Sequence, residues 1–460
     1  MRAVARADLM QTESAVVAAV RHSIGEGECT LLLKDRAVVT SSPDLLEPYD
    51  LVRFDGTRAR FESKGGRGIY SRRISAILKK IFSSPAQIKT DPRCEDAVKS
   101  MQKRIKEAST ICARTYLSGA PISVRFHADG DGAAAAIAFY RMFNHISETG
   151  AAPHRQVSWH PIRENFYGVQ QFETDVMLFN NYSSVEKPLV IGVDFGTAEE
   201  SAPQFGGAGK FETVWIDHHP VPGNLAVPSN YINPMEHHGS SSISAGLVTS
   251  LVASLVGTNS SDLAEASLIS DMSIYANRAD LRALKVAEVL DYLTVRGSDH
   301  LRRPKGMESV ITDQNALDSL YTEVHQMVEN SLAAGLKIAT RYTCPNMATV
   351  MVVNFAKIKR MGMDYPLPGR YASRLQHMLE QSSPRMITIV YYRSFISIRV
   401  GREISGKVDI ARIISKMGAE TNGSVKGGGH MEAASIDAGD FGMDNTLELL
   451  LHSMGAKAAN

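Results

Sequence analysis

The hydrophobic pattern changes period several times along the chain, and each change marks an element. Near the N-terminus, short apolar runs predict strands at Cys29-Thr-Leu-Leu-Leu, Arg36-Ala-Val-Val-Thr and Tyr49-Asp-Leu-Val-Arg-Phe. An Asp55-Gly56 hairpin turn leads into Thr57-Arg-Ala-Arg-Phe-Glu. Residues 1–85 are therefore read as a small β-rich unit, a small barrel. Lys64-Gly-Gly-Arg-Gly, Tyr70-Ser-Arg-Arg and Lys79-Lys80 follow as a loop and a basic helix. That segment is either a contact for nucleic-acid phosphates or a solvated linker. Over 91–118, Ala97, Met101, Ile105, Ala108 and Ile111-Cys112 recur at helical spacing.

Between about 110 and 280, β-rich runs alternate with helical segments. Ile122-Ser-Val-Arg-Phe, Pro188-Leu-Val-Ile-Gly-Val and Thr213-Val-Trp-Ile are strands, and Gly132-Ala-Ala-Ala-Ala-Ile-Ala-Phe-Tyr opens a helix. Such alternation predicts a parallel sheet with ligands at the strand C-terminal ends. Residues 281–340 are largely helical and bridge to a last domain at 345–456. There, strands at Thr349-Val-Met-Val-Val-Asn, Met386–Tyr392 and Phe395–Val400 accompany helices at Ser373–Leu379 and Val408–Met417. The fold class expected is α/β: a parallel sheet with helices on both faces, a helical linker, a smaller α/β C-terminal domain and the β-rich N-terminal unit.

Composition narrows the classes. In 460 residues the net charge is +1, so any nucleic-acid affinity comes from local patches. Cys29, Cys94, Cys112 and Cys344 lie far apart with no CxxC pair, which argues against a zinc ribbon or a disulfide framework. Apolar stretches stay below the ~18–20 residues that a membrane span needs. Arg2, Arg6, Asp8 and Glu13 near the start argue against a secretory signal. A cytoplasmic location without membrane contact is expected.

The chemistry concentrates in acidic and His clusters that follow apolar runs. They are His127-Ala-Asp129-Gly-Asp131-Gly132, Asp194 after Leu189–Val193, Asp217-His218-His219 after Thr213–Ile216, and Asp271 after Ala266-Ser-Leu-Ile-Ser. The pattern reads as strands delivering ligands to a sheet edge. In an extended backbone, positions 127, 129 and 131 face one pole. Gly130 and Gly132 would let the chain turn sharply. The blander readings are an Asp-Gly turn before a helix in the first cluster, where Asp is a common N-cap, and an N-cap at Asp194. Oxygen and imidazole donors suit two Mn²⁺ ions, with Mg²⁺ also possible. Asp280 reads as a helix cap, and Glu236-His237-His238 as a turn before a serine-capped helix. Gly427-Gly428-Gly429-His430 reads as an anion-holding loop, with Lys426 adding charge. Arg399 and Arg402 are candidates for a second phosphate clamp.

These motifs resemble the DHH phosphoesterase superfamily, whose eponymous motif is Asp217-His218-His219 here, with Gly427-Gly-Gly-His430-Met-Glu-Ala-Ala matching the glycine-rich motif of a C-terminal DHH-associated domain. The resemblance spans about residues 110–455 and points within the superfamily to RecJ-like nucleases, archaeal ones in particular. It implies one metal held by His127, Asp129 and Asp194, and a second by Asp131, Asp194, His218 and Asp271. It implies that His219 touches the scissile phosphate, that Asp217 orients its neighbour, and that His430 and Arg399 hold another phosphate or sugar. Val400 stands where the family arginine is followed by Ser. The implied activity is Mn²⁺-dependent exonuclease hydrolysis of single-stranded DNA or RNA to mononucleotides. The implied partner is the GINS replication factor. The alternatives are a small-substrate phosphoesterase (oligoribonuclease, 3′-phosphoadenosine 5′-phosphate phosphatase or cyclic-dinucleotide phosphodiesterase) and a replication scaffold.

Overall fold

A computed structural model describes residues 12–22, 27–42, 45–149, 157–196, 199–206, 208–221, 225–344, 348–429 and 432–458. The chain divides into two compact units, Met1–Tyr321 and Thr322–Asn460.

In the first unit, β1 (Glu13–Arg21), β2 (Gly27–Leu32), β3 (Ala37–Ser42), β4 (Leu51–Phe54) and β5 (Ala59–Ser63) form an antiparallel sheet ordered β3-β2-β1-β4-β5. The two ends meet. A parallel bridge joins Ser41 to Arg58, and the Ser42 hydroxyl donates to the Ala59 carbonyl at 3.2 Å, closing a small barrel. Strand β1 was not read from the sequence. Its Ala15 and Val17 fill the barrel while Val16 and Ala18 face the large core of the unit. Burial on both sides removes the alternation that marks a half-exposed strand. Helix α1 (Arg67–Ile81) buries Tyr70, Ile74, Ile77 and Ile81 in that same core. Helix α2 (Glu95–Ser118) does so through Ala97, Met101, Ile105, Ala108 and Cys112, as its spacing predicts.

The chain continues through β6 (Ile122–His127), α3 (Gly130–Glu148), β7 (Val157–Ile162), α4 (Val169–Phe179), β8 (Tyr182–Ser184), β9 (Leu189–Val193), α5 (Ala202–Gly206), β10 (Glu212–Ile216) and β11 (Tyr231–Ile232). Helices α6 (Ala245–Ser254), α7 (Ser261–Ser270), α8 (Leu281–Arg296) and α9 (Pro304–Thr312) complete the unit, and α10 (Gln314–Ile338) runs through the junction. The sheet is ordered β11-β10-β9-β6-β7 with every pair parallel. Strand β8 leaves this layer and pairs with β1. One face packs Val124, Phe126, Ile191, Val193 and Val214 against α3 and α6. The other packs Val190 and Trp215 against Phe179 of α4 and Phe205 of α5. Strand order reverses between β6 and β9. Open α/β sheets bind ligands at such a reversal, beyond the strand C-termini.

The second unit holds β12 (Thr340–Thr343), β13 (Thr349–Asn354), α11 (Phe355–Arg360), α12 (Pro368–Glu380), β14 (Met386–Tyr392), β15 (Phe395–Val400), α13 (Arg402–Ser405), α14 (Ile410–Glu420), β16 (Lys426–Gly429), β17 (Ala433–Asp437), α15 (Met443–Ser453) and β18 (Lys457–Ala458). Its sheet is ordered β16-β17-β15-β14-β13-β12-β18, parallel only between β13 and β14. Arg393 turns the β14–β15 hairpin with φ 54°. The four cysteines are buried and free. Among the described residues, no helix is long and apolar enough to cross a membrane.

Candidate metal centre

Three neighbouring parallel strands end in the residues the sequence singled out. His127 closes β6, Asp194 follows β9, and Asp217-His218-His219 follows β10. Asp194 is 2 % exposed and has φ 65°, a left-handed conformation that costs a non-glycine residue about 1 kcal/mol or more. Its N–H is held by the Ile216 carbonyl at 2.9 Å. The Trp215 indole donates to the Phe195 carbonyl at 2.6 Å, which secures the turn from below.

The extended run expected for 127–131 stops after Asp129. Asp129 is the N-cap of α3 and accepts from the Gly132 N–H at 3.0 Å, while Asp131 sits in the first helical turn. The N-cap and the metal-group readings of Asp129 therefore coexist. The two glycines answer to close approach rather than to turning. A Cβ at Gly132 would lie 2.2 Å from the His127 carbonyl, and one at Gly130 would lie 2.3 Å from the Ser270 hydroxyl.

Asp271 is a second correction. It ends a helix, not a strand, as the C-cap of α7. An apolar run of this length is ambiguous between the two, and here the helix reaches the sheet edge from the side. Asp280 and Ser244 are the N-caps expected of them, for α8 and α6.

These residues form three interlocking groups of donor atoms, each within 4.8 Å: His127, Asp129 and Asp194; Asp194, His218 and His219; and Asp131, His218 and Asp271. Asp194 and His218 each belong to two of them. His127 Nδ1 lies 3.0 Å from Asp129 Oδ2 and 3.7 Å from Asp194 Oδ2. His218 Nε2 lies 3.2 Å from Asp194 Oδ1 and 3.8 Å from Asp131 Oδ2. His218 Nδ1 donates to the Ser241 carbonyl at 2.6 Å. A carbonyl only accepts, so Nδ1 carries a proton, which leaves Nε2 crowded against two carboxylates, an arrangement that a metal or a second proton must relieve. That Nε2 is buried without a hydrogen-bond partner. A cation between these groups would resolve the conflict, so the donor set fits a hard or borderline divalent metal. The His219 Nδ1 bonds Asp217 Oδ1 at 2.8 Å, and its side chain is half exposed.

The local field follows. Burial works against charging His127 and His218, yet the carboxylates around them hold both imidazoles well above the ordinary His range. Asp131 is pushed up by burial and then by Asp194. Burial opposes ionisation of Asp217 as well, but His219 and His218 hold its carboxyl below the usual range.

Sequence reading missed several supports. Asp131 Oδ2 and Oδ1 accept from the Ala245 and Gly246 N–H groups at 2.9 and 2.7 Å, at the N-terminus of α6. The serine run 240–244 serves the site through the Ser241 carbonyl. Asp291 of α8 accepts from the Gly130 N–H at 2.7 Å and from the Ser270 hydroxyl at 3.2 Å. It thereby ties the Asp129–Asp131 segment to the residue before Asp271. A lone acid in an amphipathic helix carries no signal of this in sequence.

The C-terminal motif differs from expectation. Gly427–Gly429 form the edge strand β16, antiparallel to β17, where an open loop was predicted. His430 lies outside the described residues. Arg399 bonds Ser373 Oγ at 2.9 Å, Ser397 Oγ at 3.1 Å and the Ile398 carbonyl at 2.9 Å. Arg402 begins α13, where its N–H is bonded by Glu380.

Residues 121–274 match the model of the DHH family, N-terminal domain. The matched segment contains every residue of the three donor groups. An uncharacterized protein of Methanocaldococcus jannaschii is 24% identical over 185 residues, 36% of this chain and 24% of that protein. The chain thus spans about a quarter of the length of the curated relative it matches. Among solved structures, a DHH domain described as a member of the s1p family of ribosomal proteins is similar at a TM-score of 0.69 and 21% identity, covering 84% of this chain and 98% of that one. RecJ from Thermus thermophilus in complex with Mn²⁺ gives a TM-score of 0.48 and 15% identity over 84% of this chain and 58% of that one.

Proposed function

We propose that this DHH protein is a two-metal phosphodiesterase of the RecJ-like kind, hydrolysing single-stranded nucleic acid with Mn²⁺. The observation that carries the reading is the shared use of Asp194 and His218 by adjacent donor groups, with His218 Nε2 facing two buried carboxylates. His127, Asp129 and Asp194 would hold one ion, and Asp131, Asp194, His218 and Asp271 the other. Two such ions supply a lowered water pKa and charge neutralisation at a phosphorus centre.

This chain's own residues prepare the chemistry. The Ser241 carbonyl holds His218 Nδ1. Asp217 bonds His219, whose half-exposed ring would meet a phosphate oxygen. The left-handed turn at Asp194 presents both of its oxygens, one toward His127 and one toward His218. In the second unit, Gly427–Gly429 of β16, His430 and Arg399 are the residues proposed to hold another phosphate or sugar. Attachment to a GINS-type replication factor belongs to the same proposal.

A length series of 5′- and 3′-labelled DNA and RNA single strands with Mn²⁺ tests the reading. Stepwise shortening of long strands is expected, and its loss in Asp194→Ala. Cleavage confined to the shortest oligomers would replace the exonuclease by a small-substrate phosphoesterase.

A further inference from the structure

Between Glu62 and Asp91 the chain has no carboxylate, while Lys64, Arg67, Arg72, Arg73, Lys79 and Lys80 all fall there. In a protein of net charge +1 this is a concentrated basic segment. Most of it is α1, and the structure gives that helix two faces. Tyr70, Ile74, Ile77 and Ile81 are buried in the core of the first unit. Arg67, Arg72, Lys79 and Lys80 are exposed on the rest of the surface.

Neighbouring surface cations are mostly neutralised. Arg36 pairs with Glu13, Arg53 with Glu62, and Lys64 with Glu47. Among the described residues, Arg72, Lys79 and Lys80 pair with no carboxylate. Arg72 and Lys79 stand seven residues apart, about 10 Å along the axis. Cations so spaced on a fixed helix match an extended run of phosphates. An amphipathic helix that inserts into a membrane surface does so with its apolar face, and the apolar face of α1 is consumed by the core.

We propose that the exposed face of α1 is a binding surface for the phosphodiester backbone of a single-stranded nucleic acid, separate from the metal centre. The inference deepens the proposed function, because it makes the preferred substrate a long strand. A strand that occupies α1 as well as the metal centre gains affinity that a dinucleotide cannot.

The test compares the full-length protein with Arg72→Gln/Lys79→Gln/Lys80→Gln and with the charge-retaining Lys79→Arg/Lys80→Arg. Binding of a fluorescent 30-nucleotide single strand is followed over a salt series, alongside hydrolysis of a dinucleotide. The triple variant is expected to bind the 30-mer at least tenfold more weakly. Its log K against log salt slope should flatten by about 2, near 0.7 for each lost contact. Dinucleotide hydrolysis and the arginine variant should match the parent. An unchanged affinity and slope overturns the inference. So does parental binding to phosphatidylserine vesicles that the triple variant loses while strand binding persists, which would make α1 a membrane contact. If the parent hydrolyses nothing but binds the 30-mer through α1, the proposed activity fails and this surface stands.

Discussion

The metal centre and the α1 face both carry dense charge, in opposite settings. At the sheet ends, five carboxylates and three imidazoles crowd a largely buried space, where His218 Nε2 and Asp217 Oδ2 are buried without a hydrogen-bond partner. On α1, Arg72, Lys79 and Lys80 are exposed and pair with no carboxylate among the described residues. Buried charge is worth much and tolerates little, because each group left without its partner keeps its desolvation cost. Exposed charge is worth little per group and acts by addition.

The sharpest way to break this comparison is Asp194→Ala. It removes the acid shared by two donor groups, and Mn²⁺-dependent strand hydrolysis should fall by at least about 10³-fold. Retained turnover would dissolve the contrast altogether. Next comes a buried charge outside the centre. Asp175 accepts from Arg125 Nε at 2.8 Å, from Ser123 at 2.6 Å and from Tyr167 at 2.7 Å. Asp175→Ala leaves Arg125 buried without its counter-ion and should cost about 3–5 kcal/mol in urea unfolding.

Asp291 supports the centre at one remove. Asp291→Ala should weaken Mn²⁺ binding by about 10–100-fold in calorimetric titration. Asp291→Asn, which keeps an acceptor for the Gly130 N–H, should recover most of that loss. Equal effects of the two would mean that Asp291 serves stability alone.

The pH response has a definite sign. The carboxylates around them hold His127 and His218 above their ordinary values, so each keeps its proton to higher pH in the metal-free protein than a free imidazole does. The stability they contribute is complete at low pH and is lost as pH rises through the raised values. A metal needs their lone pairs and expels those protons, so Mn²⁺ affinity should rise with pH, by up to about tenfold per unit per proton released. Calorimetry in buffers of different ionisation enthalpy counts the protons. Smallest of all, a single Lys79→Gln should leave hydrolysis and stability within about 0.5 kcal/mol of the parent and change only the salt slope.

Much of the centre was readable because its signals are local. An acid or His directly after a short apolar run is where a buried strand meets solvent, and β6, β9 and β10 follow that rule at His127, Asp194 and Asp217. Asp271 follows the same rule in sequence but ends a helix, since a short apolar run serves either element. Strand β1 escaped because both of its faces are buried. The glycine run at 427–429 looks like a loop in sequence and becomes an edge strand because β17 supplies a pairing partner.

The sequence by itself determined the inventory of donors, the order of the elements that carry them and the basic stretch of α1. Each of these depends on neighbours a few positions away. Only the tertiary structure decided that the Ser241 carbonyl holds His218 Nδ1, and that Asp291 and the α6 N-terminus hold the first motif in place. These are hydrogen bonds between residues far apart in the chain. Their partners are chosen by packing, which leaves no periodic trace in the order of amino acids.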